Sequence, residues 1–150
     1  MDISGKPSSF HLVLIKPSHY DDDGYIIQWM RSSMPSNSLA AVYGLAQDCA
    51  QRKVLGEATP ITVAAYDETN TRIRPDRLAR DIRAAGGGMV GLVGVQSNQY
   101  PRAMDLARRF RARGINVASL AAVYGLAQDC ARRKVLGEDC SRALRSASIG

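Results

Sequence analysis

Phe10-His11-Leu12-Val13-Leu14-Ile15 is an almost unbroken apolar run. A strand with one wet face alternates apolar and polar residues, so a run without alternation marks a strand buried on both faces. Such strands belong to parallel sheets with helices packed above and below. Two further runs of this kind follow. Ile61-Thr62-Val63-Ala64-Ala65-Tyr66-Asp67 reads as the second strand and Met89-Val90-Gly91-Leu92-Val93-Gly94-Val95 as the third. The glycines of the third point to a close approach of backbone or ligand. Ile115-Asn116-Val117 gives a short fourth strand.

Between these runs the apolar period becomes helical. After a polar loop from Lys16 to Asn37, either Asn37 or Ser38 can cap a helix with the stripe Leu39, Val42, Tyr43, Ala46, Cys49 and Ala50. Pro75 suits the first turn of the next helix, whose inner face is Leu78, Ala79, Ile82 and Ala85 and whose end is Gly86. Pro101 opens a third helix with Ala103, Met104, Ala107 and Phe110 inward, and Gly114 stops it. Asp105 with Arg108 and Arg109 adds surface pairs at helical spacing. Strands alternating with helices of this length make right-handed βαβ crossovers. The expected fold is therefore a three-layer, Rossmann-like α/β domain over residues 10–117, with a parallel sheet of about four strands. The flavodoxin-like version of this architecture has five strands, so the sheet is expected to be incomplete at its C-terminal edge. Residues 1–9 read as an N-terminal tail.

Residues 118–150 read as a duplicated helix and a C-terminal tail. Ser38 to Glu57 is SLAAVYGLAQDCAQRKVLGE and Ser119 to Glu138 is SLAAVYGLAQDCARRKVLGE, differing only at Gln51 against Arg132. Stacked repeat folds use several adjacent copies. Here two copies stand far apart, with unrelated flanks: Pro35-Ser36-Asn37 before the first and Asn116-Val117-Ala118 before the second. The pattern reads as a recent copying of one helical segment over whatever the domain would otherwise carry there.

A chain of 150 residues holds one well-buried core. Its net charge of +6 comes mainly from 16 arginines, several of them late: Arg102, Arg108, Arg109, Arg111, Arg113, Arg132, Arg133, Arg142 and Arg145. No aromatic residues interleave with them as a base-stacking platform requires. They read as solvated helix faces, and no nucleic acid partner is expected. No apolar run approaches the roughly 18 residues of a membrane span. Met1-Asp2-Ile3-Ser4-Gly5-Lys6 lacks the cationic-then-apolar order of a signal peptide. A cytoplasmic protein without a membrane partner is expected. Cys49 and Cys130 are one position of the duplicated segment, and Cys140 follows ten residues later. Without a C-x-x-C motif, zinc and iron–sulfur ligation are unsupported and free thiols are expected.

In open parallel sheets the ligand lies beyond the carboxyl ends of the strands. That selects Lys16 to Tyr25, Asp67 to Asn70 and Gln96 to Gln99. Asp21-Asp22-Asp23 invites a Mg²⁺ reading, as in phosphoacceptor receiver domains. Those need a further Asp after strand three, where this chain has Gln96-Ser97-Asn98-Gln99, and a Lys after a fifth strand. The acidic run is therefore expected to be a solvated loop tip turned by Gly24. Gln96 to Gln99 are uncharged hydrogen-bonding side chains suited to a polar, neutral ligand edge, and Asn98 is also placed to cap the helix at Pro101. Gly86-Gly87-Gly88 precedes a strand instead of opening a helix, which makes it a turn and not a phosphate loop.

Taken in order, HLVLIKPSHYDDDGY (11–25), PSNSLAAVYGLA (35–46), YDETN (66–70) and GLVGVQSNQYPRAMDLARRFRARGINV (91–117) resemble the N-terminal cobalamin-binding domain of B12-dependent radical SAM proteins. The resemblance covers residues 10 to 117. It implies a base-off corrinoid resting on the carboxyl edge of the sheet, with its tail descending between strands. It implies cofactor contacts from Pro17, Ser18, His19, Tyr20, Gly24 and Tyr25 near the corrin's lower face. Ser38 and Asp67 belong to the same implied site, with Gln96, Ser97, Asn98 and Gln99 near the tail. His19 is the one candidate lower ligand to cobalt. In other cobalamin domains that ligand sits in D-x-H-x-x-G; here the Asp is missing and Gly24 lies five residues on instead of three. The missing carboxylate removes the partner that would orient the ring, so a histidine that lines the site or is simply exposed is weighed against it.

Two departures bound the activity. The family continues after its fourth strand with a Gly-Gly turn and a His, where this chain has Ala118-Ser119-Leu120-Ala121. The radical SAM barrel and its three-cysteine cluster motif are absent from the sequence. The implied role is corrinoid binding without turnover and without an iron–sulfur cluster, partnered by a radical SAM catalytic domain outside this chain. The alternative is a ligand-free, truncated paralogue that self-associates as a homo-oligomer through the copied helix, by the stripe Leu120, Val123, Tyr124, Ala127 and Cys130.

Overall fold

A computed structural model describes residues 9–29 and 36–119. Of the duplicated helix expected over 118–150, Ala118 and Ser119 instead end a strand, while residues 120–150, with the stripe assigned to self-association, lie outside the described residues, as do residues 1–8 of the N-terminal tail. Seven elements alternate along the chain: β1 (Phe10–Lys16), α1 (Asn37–Gln51), β2 (Ile61–Asp67), α2 (Pro75–Ala84), β3 (Gly88–Leu92), α3 (Tyr100–Arg111) and β4 (Asn116–Ser119). The four strands form one parallel sheet in the order β2-β1-β3-β4. This is the expected Rossmann-like α/β fold.

The continuous apolar run of β1 has the meaning its sequence gave it. Val13 and Ile15 face one helical layer; Leu14, one residue out of phase, faces the other. The larger core joins Val13, Ile15, Val90 and Leu92 to Leu78 and Ile82 of α2 and to Leu106 and Phe110 of α3. The smaller core lies under α1, where Leu39 and Ala46 meet Leu14 and Val93. Each wholly buried Leu, Ile or Phe contributes about 1.5–3 kcal/mol relative to exposure, so the face under α2 and α3 carries most of the stability.

Several local expectations change. The N-cap of α1 is Ser36, whose hydroxyl accepts from Leu39 N at 3.2 Å, and not Asn37 or Ser38. The stripe of α1 is narrower than expected: Tyr43 and Cys49 are exposed. Strand β3 stops at Leu92 instead of running to Val95. Val93 N still donates to Ile15 O at 2.8 Å, after which Gly94 turns the chain away at φ 64°. Asn98 does not cap α3; Gln99 occupies that position, without a side-chain cap bond. Gly88 opens β3 hard against β1, and a Cβ there would overlap the carbonyl oxygen of His11. Among the described residues no helix is long and apolar enough to cross a membrane.

Candidate functional site

The chain leaves β1 to build β2 on one side and later returns to build β3 on the other. In open parallel sheets the ligand crevice is expected where the strand order reverses, which here is beyond the carboxyl ends of β1 and β3. One wall is the segment after Lys16, and the other is the segment after Val93. Ser38, exposed in the first turn of α1, lies against the segment after β3: a Cβ on Gly94 would meet Ser38 Cβ at 3.4 Å. The expected site residues after β1 and after β3 follow neighbouring strands of the sheet, and Ser38 packs against Gly94 at the start of the segment after β3. Asp67 stands apart at the end of β2, on the far side of β1.

The wall after β1 is pinned. Tyr20 and Ile26 form an antiparallel bridge, and Ile27 N donates to His19 O at 3.0 Å. At its tip Asp21 Oδ1 accepts from Tyr25 N at 2.7 Å and Asp23 N at 3.1 Å, and Gly24 turns at φ 83°. Asp21 to Tyr25 are all exposed, which makes the acidic run a self-bonded turn. Tyr25, 74% exposed, stands out at this tip.

Beneath the wall lies a buried ion pair. Glu68 follows β2 and is 1% exposed, and Arg102 of α3 is 3% exposed. Arg102 Nη2 donates to Glu68 Oε1 at 2.6 Å, and Arg102 Nε lies 3.1 Å from both carboxylate oxygens. The same carboxylate accepts from Ser18 N at 3.1 Å. Arg102 Nη1 donates to the Tyr20 hydroxyl at 3.3 Å, that hydroxyl donates to Asp105 Oδ2 at 2.5 Å, and the guanidinium lies 5.8 Å from the Tyr20 ring centre. Burial works against the charge of Arg102, but its bonds to Glu68 and Tyr20 outweigh that and raise its pKa. Both charges are satisfied by several partners, the condition under which a buried pair persists.

This network divides the expected site residues in two. Pro17 is buried, and Ser18 is fully committed, its hydroxyl donating to Ile27 O at 2.5 Å. Tyr20 is held by Arg102 and Asp105. Asp67 Oδ1 accepts from Thr69 N at 3.0 Å and from its hydroxyl at 2.6 Å, while Oδ2 lies 3.9 Å from Lys16 Nζ. Gln99 is buried and its Oε1 accepts from Gln96 N at 3.0 Å. Pro17, Ser18, Tyr20 and Gln99 are thus structural, and Asp67 is committed at the end of β2. His19, Gln96, Ser97 and Asn98, by contrast, have side chains without a hydrogen-bond partner among the described residues. His19 is half-buried, and Gln96 to Asn98 are exposed.

The sequence reads Arg102 as part of a solvated helix face, which its 3% exposure overturns, and gives Glu68 no role. They lie 34 residues apart, on elements whose neighbours look like solvated helix faces. The one available signal was an Arg in the slot immediately before Ala103 at the buried start of α3. A cavity of about 450 Å³ runs along the outer edge of β2 beneath α1, and Asp67 is the one expected site residue in its lining. No family model, no curated protein and no solved structure matches the chain.

Proposed function

We propose that this domain binds a corrinoid in the crevice between the ends of β1 and β3, holding the cofactor without turning over a substrate. One observation carries the reading. Next to a wall pinned by the Glu68–Arg102 network, the segment after β3 presents neighbouring exposed amide and hydroxyl side chains, Gln96, Ser97 and Asn98, without a hydrogen-bond partner among the described residues. Such neutral donors and acceptors suit the amide-fringed rim and tail of a corrinoid, and they desolvate at less cost than charges would.

The residues present fit the group as hydrogen-bonding partners, and they fit cobalt ligation less well. His19 is half-buried, but no carboxylate or carbonyl orients its ring among the described residues. The corrinoid, when bound, supplies the cobalt chemistry. The chain's own residues position it: Tyr20 and Ser18 fix the wall on which His19 stands, and Gln96, Ser97 and Asn98 hold the periphery. A radical SAM catalytic domain on another polypeptide, and a cytoplasmic setting, complete the proposal. Thermal unfolding tests it. Saturating hydroxocobalamin raises Tm, because a ligand that binds only the folded state stabilises it by mass action. The triple variant Gln96→Ala, Ser97→Ala, Asn98→Ala loses that rise without losing its fold. An unchanged Tm in the parent protein contradicts the reading.

A second reading, self-association, rests on α1. The residues that hold α1 on the sheet are Leu39, Val42 and Ala46, and the same types recur at Leu120, Val123 and Ala127. The copy therefore carries the sequence of a helix that fits the Leu12, Leu14 and Val63 surface, and in a second chain it can take that place. A molecular mass that rises with protein concentration supports it, and a constant monomer mass contradicts it.

A further inference from the structure

Away from the crevice, arginines collect where α2 begins. In Arg72-Ile73-Arg74, Ile73 is buried in the main core, so the residues on either side of it turn outward. Pro75 then starts α2, whose inner face is Leu78, Ala79 and Ile82, and this sends Arg77 and Arg80 to the outer face. Arg109 reaches the same place from α3. Together Arg72, Arg74, Arg77, Arg80 and Arg109 line a cavity of about 440 Å³. A smaller cavity of about 260 Å³ shares Arg72 and Arg109 and has the Glu68–Arg102 pair in its lining.

The nearby carboxylates are already engaged. Asp76, the one acidic residue in the larger lining, accepts from Arg113 Nε at 2.6 Å. Asp81 lies 4.0 Å from Arg77, Asp105 is taken by Tyr20 and Arg108, and Glu68 by Arg102. Among the described residues, Arg72, Arg74, Arg80 and Arg109 have no carboxylate within 4.0 Å. Like charges three residues apart on a helix, as at Arg77 and Arg80, oppose its formation. Five arginines nevertheless line one open groove, and a multivalent anion is what would relieve their repulsion.

We propose that this groove is a binding site for a small polyphosphate, the diphosphate part of a nucleotide or a related metabolite. Guanidinium groups match phosphate oxygens with paired, charge-assisted hydrogen bonds. The lining is concave and contains no aromatic ring, which favours a compact phosphate group over a base-stacked nucleic acid strand. The site is separate from the corrinoid crevice and does not depend on that reading.

The test uses the full chain and inorganic pyrophosphate, with calorimetric titration at fixed ionic strength and ADP, AMP and a single-stranded oligonucleotide as further ligands. Pyrophosphate and ADP bind with one site per chain, and AMP binds at least about tenfold more weakly. Arg72→Ala and Arg109→Ala, both exposed positions whose folding is checked by circular dichroism, each weaken pyrophosphate about tenfold, while Arg52→Ala on α1 leaves it unchanged. The proposal is overturned by an absence of pyrophosphate heat, by equal loss in Arg52→Ala, or by tight binding of the oligonucleotide alone.

Discussion

Glu68 and Arg102 do the work of a clasp. Their charges are wholly enclosed, and they tie the loop after β1 to α3 through Ser18 N and the Tyr20 hydroxyl. Removing one partner leaves the other charge buried and alone, which typically costs about 3–5 kcal/mol. Urea unfolding of Glu68→Ala and of Arg102→Ala should each show a loss of this order. The double variant Glu68→Leu, Arg102→Met should lose much less, since no charge is then stranded. Asp76 gives a smaller, pH-dependent contribution. The hydrogen bond from Arg113 holds its carboxyl below the ordinary range, so the folded state releases this proton more readily than the unfolded chain. Its stabilisation is present above the ordinary carboxylate range and disappears as pH falls through the lowered folded value. Comparing the acid limb of the Tm–pH curve of Asp76→Asn with that of the parent protein measures it; both lose stability in acid, and the variant should lose slightly less.

At the scale of elements, the order of strands and helices was legible because each announces itself by local pattern: unbroken apolar runs for strands buried on both faces, and three-and-four spacing for α2 and α3. What failed was whatever depends on distant neighbours. The stripe of α1 read too wide because only Leu39 and Ala46 are deeply covered, and Tyr43 and Cys49 hang past the sheet. Leu106, fully buried, was passed over on α3, where the arginines around it mask the periodicity. Strand β3 read too long because Val93 and Val95 are apolar, although Gly94 turns the chain between them. The buried ion pair had only a weak sequence signature, the Arg beside Ala103, since a Glu in a loop and an Arg on a helix are ordinary surface residues until the fold brings them together. The cap of α1 is a sharp check. Ser36→Ala should cost about 1 kcal/mol, whereas Ser38→Ala should be close to neutral. Gly88→Ala tests the β1–β3 contact. With the His11 carbonyl in the way of any Cβ, it should destabilise far more than the roughly 1 kcal/mol of an ordinary strand substitution.

For the molecule as a whole, the sheet order β2-β1-β3-β4 decides where a ligand can sit, because it opens the chain between β1 and β3. The two proposed sites follow from one architecture and differ in chemistry. Beyond the strand ends lie neutral side chains without a hydrogen-bond partner among the described residues; at the start of α2 arginines outnumber the carboxylates beside them. A corrinoid suits the first and a polyphosphate the second, and neither requires the other. The duplicated segment is the basis of the proposed exchange between chains, which the concentration dependence of mass reads independently of either ligand. The most direct measurement is gel filtration of the purified chain after incubation with hydroxocobalamin, with the spectrum recorded across the protein peak. Co-elution of close to one corrinoid per chain with an altered corrin spectrum is the predicted result, and His19→Ala should leave that spectrum unchanged if the histidine only lines the site. A protein peak free of corrin absorbance, under both reducing and oxidising conditions, would contradict the account.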